Sequence, residues 1–525
     1  MTNAFQPLFL WTLCFGVSAV SASAQSPAIW RESSATKVTA VDLTPFGSVI
    51  ALAKTGLSAI EVETGKRLWS RTDVTDYLLV AGTTYGLFTT AGGQTIANLE
   101  SGQDIWNLAS LGLSPVSGMI HLPSAGVLLA HGAAAESAHT LVAARYASGQ
   151  IVWKQSSLFK DSALAPKAAK IRYRTHLHDS ETSVILDPSD DGLIRLDLQT
   201  GQLLWRIPEM GLASKGKRVD LLPAGDRFLV AYDKKLIAVA REGGKVEWAL
   251  QEGFPSPVVQ AASTRQGLLV RGAYNVNGKG HVSWKPYLTM LDPATGATKW
   301  TTQKAPFEGR SSFVLENDRV VIAQKEGVTI HDATSGQTLS AHTMPEFGGG
   351  ENACCIQRFE NGGLLVWSSQ NMRMIDPAGK VTYSVFLKAP GASFLAKLAT
   401  VAAMAAATAG SYAAAPAGGA YSVFSPGPNS SLTARFKAST SAERFMYVLT
   451  EEPGTDPGRF ALVRLDKASG KDTGRLKFAD RSPTFRLDPA SGVVVAVDDA
   501  GLYGLRFTPV NGASESGKGR KRESR

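Results

Sequence analysis

The most reactive side chains of the chain stand together at Glu351-Asn352-Ala353-Cys354-Cys355. Adjacent cysteines in an oxidising compartment can close a small, constrained disulfide ring, an arrangement that marks a site; the plainer reading is a locally oxidised or packed strand element. Glu351 and Asn352 offer oxygen donors of the type a hard cation takes, but such an ion wants about six to eight of them. His176 and His178, in Thr175-His176-Leu177-His178, are two residues apart and so share one face of a strand. That spacing suits two metal ligands or an ordinary blade surface. Asp187, Asp190 and Asp191 form an acidic turn, read either as a calcium loop or as a solvated hairpin. Gly-x-Ser-x-Gly, His-Glu-x-x-His and Cys-x-x-Cys are absent from the sequence. No catalytic residue is assigned, and a non-enzymatic chain is the expectation.

The elements that must position these residues are set by a repeated phrase, a small residue, then Gly, then Trp after a short gap. It ends at Trp69, Trp106, Trp153, Trp205, Trp248 and Trp300, and fades into copies in which Ser340, Tyr383 and Gly474 take the Trp place. The spacing of roughly 37 to 52 residues is the period of one four-stranded propeller blade. Within a unit, alternation such as Leu193, Arg195, Asp197 against Ile194, Leu196, Leu198 has the period of a strand. The Gly supplies a tight turn, Ser or Thr before it bonds the local backbone, and the Trp offers a large ring to the next blade. These are blade-docking roles.

The expected fold is all-β, a single β-propeller of four-stranded antiparallel blades over residues 25–508. About ten units can be counted, with eight to ten blades as the range, because common propellers have about four to eight. The last unit, Ser482 to Phe507, lacks a Gly-to-Trp strand of its own; Ala28 to Glu32, with Ile29 and Trp30, is expected to supply it and close the ring.

The phrase resembles the repeat of pyrroloquinoline-quinone-type propellers, Ala-x-Asp-x-x-Thr-Gly-x-x-x-Trp. Met290-Leu291-Asp292-Pro293-Ala294-Thr295-Gly296 to Trp300 is the nearest copy, followed by Leu196-Asp197 through Gly201 to Trp205. The resemblance implies the propeller fold and leaves two functions open, since the repeat serves quinoprotein dehydrogenases and non-catalytic scaffolds of outer-membrane barrel assembly. In the dehydrogenases a vicinal disulfide packs on the quinone, which makes Cys354 and Cys355 cofactor candidates with calcium as the companion ion. This chain departs from that pattern. Its pair falls late and is followed by Ile356, where the family's lies in an early blade before an acidic residue. The Glu, Asn and Asp set for calcium and the Trp-rich floor are not found. The resemblance therefore implies a scaffold-type member, with no cofactor expected and a PQQ/Ca-dependent oxidoreductase as the alternative.

Residues 1–24 read as a signal peptide: Phe9 to Val20 is apolar, and Ala22-Ser23-Ala24 precedes Gln25. The rival, a membrane anchor, is short of the ~20 residues needed to span. Export places the mature chain in the periplasm or outside the cell, possible membrane association coming through partners, and excludes nucleic acid as a partner. The formal charge of +9 comes partly from the tail 509–525, whose Lys518, Arg520, Lys521, Arg522 and Arg525 sit among Gly and Ser. Such a tail solubilises the chain or touches anionic lipid.

The Ala/Gly/Pro-rich insertion 389–431 breaks the blade rhythm. Its Phe394, Leu395, Leu398 and Val401 share one face of an expected helix and are the partner-docking candidates. A low-complexity loop, a docking helix and a lid remain open. The expected function is a protein-interaction scaffold of the bacterial cell envelope, with envelope or membrane-complex proteins as partners.

Overall fold

The computed structural model describes residues 26–507 apart from 159–174, 208–218, 303–312, 389–438, 452–459 and shorter loop pieces. It contains ten four-stranded antiparallel sheets, nine of them built from consecutive strands. The tenth joins Thr484–Asp488, Val493–Asp498 and Gly501–Arg506 to the N-terminal strand Ala28–Ser33. Trp30 lies opposite Gly504 and Ser33 opposite Gly501 in that pairing. The ring is thus a ten-bladed propeller closed by its first strand, at the top of the range read from the sequence.

Numbering blades from Val38–Leu43 onward, the middle strands have largely apolar, buried centres. Ser48–Ala53 and Val493–Asp498 show this. Both faces of a middle strand are covered by neighbouring blades, which accounts for the continuous apolar runs. Outer strands alternate, as in Val381–Phe386. The apolar residues gather into ten clusters, one in each seam between blades. One unites Val41, Val49 and Ile60 of blade 1 with Val493, Val495 and Trp30 of blade 10. Another unites Leu129, Leu141 and Trp153 of blade 3 with Val184 and Leu186 of blade 4.

The repeated phrase is the seam's lock. Indole N–H groups of Trp30, Trp69, Trp106, Trp153, Trp205, Trp248 and Trp300 donate to carbonyls of the following blade's turn at 2.7–3.1 Å. The acceptor lies three residues before the Gly of that turn, and the ring lies flat on that Gly. At Gly201 an added Cβ would sit 2.4 Å from Trp153. The same Gly has φ +71°, the left-handed conformation the turn needs. Asp197 fixes the turn by accepting from the backbone N–H of Gln199 and Thr200 and from the Thr200 hydroxyl. Asp292, Asp332 and Asp466 repeat this pattern with Thr295, Ser335 and Ser469.

A bulge precedes the aromatic position in every outer strand. In blade 3, Trp153 pairs with Ala143 and Ile151 with Ala144, so Val152 has no cross-strand partner. The closing strand repeats the device, Ala28 and Trp30 pairing with successive residues around Ile29. A bulge inserts one residue and re-aims its neighbours, here turning the Trp toward the next blade. The extra residue points outward, which explains why Ile29, Leu68, Leu204 and Leu339 are exposed.

Each blade is an antiparallel meander, so its first-to-second and third-to-fourth turns lie on one face of the ring. Second-to-third turns and the connections between blades lie on the other. The Trp locks therefore belong to the first face, and the strand ends Phe386 and Ser439 to the second.

Candidate functional site

The late sector of the ring departs most from the repeat. After Trp300 the aromatic position falls to Ser340, which keeps the register of a Trp by pairing with Ile330. Its small side chain leaves the place unfilled, and the ring of His342, two residues on, covers Gly379 of blade 8 instead. Tyr383 resumes the pattern by stacking on Gly470 and donating its hydroxyl to the Lys467 carbonyl. Gly474 has no ring because none is needed: the outer strand of blade 10 comes from the N-terminus, so no turn stands there to be covered. Ser26 ties that point, donating its backbone N–H to the Lys477 carbonyl and accepting the Lys477 N–H on its hydroxyl.

The described residues of the connection from blade 7 to blade 8, 344–351 and 353, fold back onto the seam. Met344, Phe347 and Ala353 are buried there with Val321, Ala323 and Val328 of blade 7 and Ile356, Leu364 and Val366 of blade 8. Glu351 is 4% exposed, and its Oε2 accepts from the Ser368 hydroxyl at 2.6 Å, the Gln370 N–H at 3.0 Å and the Asn371 amide at 3.0 Å. Asn371 also holds Gly348 from both sides, accepting its N–H at 2.8 Å and donating to its carbonyl at 3.1 Å. Arg373 donates to the carbonyls of Pro345 and Glu346 and lies 4.5 Å from the Phe347 ring centroid. Burial lowers its guanidinium pKa, and the two carbonyls and the ring face are its compensation.

This geometry makes Glu351 an anchor for a turn. One carboxylate oxygen is already shared among three donors, which is poor preparation for a cation. Asn352 and Cys354 lie outside the described residues. Cys355 is half-buried, disulfide-bonded, and begins the inner strand of blade 8 opposite Trp367. His176 and His178 occupy the first strand of blade 4, opposite Leu186 and Val184. Asp190, Asp191 and the candidates Phe394, Leu395, Leu398 and Val401 lie outside the described residues, as do the segments read as signal peptide and basic tail. Among the described residues no group of three or more His, Cys, Asp or Glu is placed to hold a metal ion.

Ser368, Asn371, Arg373 and His342 were not singled out by sequence. Most of their partners lie in the connection 345–351 or in a turn of the next blade, and carry no local signature. The buried Arg373 within Asn371-Met372-Arg373-Met374-Ile375 was the one available signal, a cation interrupting an apolar run.

Comparison with known proteins bears on the fold and the family. Among solved structures, BamB from Moraxella catarrhalis is similar at 12% identity and a TM-score of 0.30, covering 68% of this chain and 99% of that one. A eukaryotic initiation factor matches at 11% identity and a TM-score of 0.39, covering 68% and 89%. No curated protein matches. No helix among the described residues is long and apolar enough to cross a membrane. The family model described as outer membrane protein assembly factor BamB matches residues 92–266 and 190–375, together more than half of the 525 residues. On that match the chain belongs to the PQQ-type β-propeller family described as outer membrane protein assembly factor BamB.

Proposed function

We propose that this chain is an exported, non-enzymatic scaffold of the bacterial cell envelope, a subunit of a membrane-associated complex that presents protein-binding surfaces around a rigid ring. The observation that carries this reading is that the repeated phrase and the reactive cluster are both taken up by the fold itself. The repeated Trp residues are committed to seam carbonyls, and Glu351 to three internal donors. Membership of the BamB-described family supports an envelope role. The insertion 389–431 falls in sequence between Phe386, the last residue of blade 8, and Ser439, the first of blade 9, and is the proposed docking element.

The test is crosslinking in intact cells followed by affinity purification, comparing the full chain with a variant lacking residues 391–430. Envelope proteins should crosslink to the full chain, and a subset should be lost from the variant. An unchanged partner set rejects the insertion as the docking element, and the absence of any envelope partner rejects the scaffold.

The disulfide at Cys355 favours one second reading, a PQQ/Ca-dependent oxidoreductase. Titration of the purified protein with the quinone and Ca²⁺ separates the two. Saturable binding with dye-linked alcohol oxidation overturns the scaffold reading.

A further inference from the structure

We propose that the seam between blades 7 and 8 is a redox-sensitive joint, in which the disulfide at Cys355 keeps residues 344–353 seated in the seam and a dithiol releases them. Two independent observations meet here. On the turn face, this seam lacks the bond that locks its neighbours. His342 stacks on Gly379, and among the described residues no side chain of its strand donates to the Asp376 carbonyl, the position at which Trp300 bonds Ala333 one seam earlier. On the opposite face, the connection compensates. Met344, Phe347 and Ala353 plug the seam, Glu351 ties the plug to Ser368 and Asn371 of blade 8, and the disulfide at Cys355 constrains its far end.

The plug is short and its last residue is only two positions from Cys355, so freedom gained at that cysteine passes directly into Ala353 and Glu351. Cys355 is half-buried rather than enclosed. Attack by dithiothreitol breaks the protein S–S bond through a mixed disulfide. The second thiol of the reagent then displaces the protein thiolate, leaving two protein thiols and the cyclic disulfide of the oxidised reagent. Two electrons and two protons pass to the protein. With the constraint gone, this seam lacks both the disulfide and the side-chain bond that its two neighbouring seams keep through Trp300 and Tyr383, so opening should be local rather than global.

Hydrogen exchange followed by mass spectrometry on the full chain, before and after dithiothreitol, tests this, with alkylation to count thiols. Peptides covering residues 344–358 and 364–375 should exchange about tenfold faster after reduction, while those covering the turns at Gly102 and Gly201 stay unchanged. Ser340→Trp, which returns a ring to the register of Trp300, should blunt the response by restoring a lock. Cys355→Ser should reproduce the fast exchange without reductant; if that variant does not fold, reduction of the native chain decides. The proposal is overturned if dithiothreitol releases no thiols, if exchange in the seam is unchanged after they are released, or if exchange rises equally around the ring.

Discussion

Replacing Gly201 by Ala isolates the energy of one seam lock, because a matched control exists in the same ring. Gly201 and Gly225 share φ +71°, so each alanine variant carries the same left-handed penalty of about 1–2 kcal/mol. They differ in surroundings. A Cβ at Gly225 meets nothing within 4 Å, whereas at Gly201 it falls 2.4 Å from the Trp153 ring. Carbon atoms rest about 3.5–4.0 Å apart, so the ring must move by more than about 1 Å. Trp153 is only 7% exposed and its indole donates to the Leu198 carbonyl at 2.9 Å. Displacement costs the hydrogen bond, about 1 kcal/mol, and forces repacking worth about 1–3 kcal/mol. Gly201→Ala should therefore be about 2–4 kcal/mol worse than Gly225→Ala. A ten-bladed ring need not unfold in one step, so the assay is native-state hydrogen exchange in blades 3 and 4, which reads local opening free energy. If the two variants agree to within about 0.5 kcal/mol, the ring-on-glycine contact is not what holds the seam.

Three further outcomes follow from the closure and from the buried histidines. Trp30→Ala removes the closing strand's ring and its bond to Val62, and should cost about 3–5 kcal/mol; deletion of residues 26–33 should further expose the edge of Gly501–Arg506 and produce oligomers on size-exclusion chromatography, a monomeric deletion variant contradicting the closure role. His131 and His139 are buried with ring centroids 5.8 Å apart, and burial first, then the neighbouring ring, holds the His131 pKa down from 6.5 to about 4. A folded-state pKa below the unfolded value means full stability above about pH 6.5, lost as the pH falls toward 4, about 3 kcal/mol at most. Urea midpoints measured between pH 7.5 and 4 should decline over that window and flatten in His131→Phe; a wild-type profile already flat there would contradict it.

Much of the ring was legible in the chain because its turns are coded over a few residues. Asp197, Thr200 and Gly201 bond one another within a single turn, so their spacing survives as a readable phrase. The apolar middle strands and the orphan strand around Trp30 follow from the same local logic, and they account for ten blades and for closure by the N-terminus. The reactive cluster was legible only as residue types. Whether Glu351 waits for a cation or anchors a turn depends on Ser368, Gln370 and Asn371, seventeen to twenty residues away across a seam.

The sequence by itself determined the repeat, the all-β class and the strand that closes the ring, because each depends on contacts between chain neighbours or on strict periodicity. Tertiary structure alone decided what fills each seam. Ser340 occupies the register of a Trp while His342 covers the glycine, and Gly474 needs no ring because blade 10 borrows its outer strand. The physical reason is that seam contacts join residues about thirty to eighty positions apart, where packing volume and the direction imposed by a bulge, rather than any spacing along the chain, choose the partner.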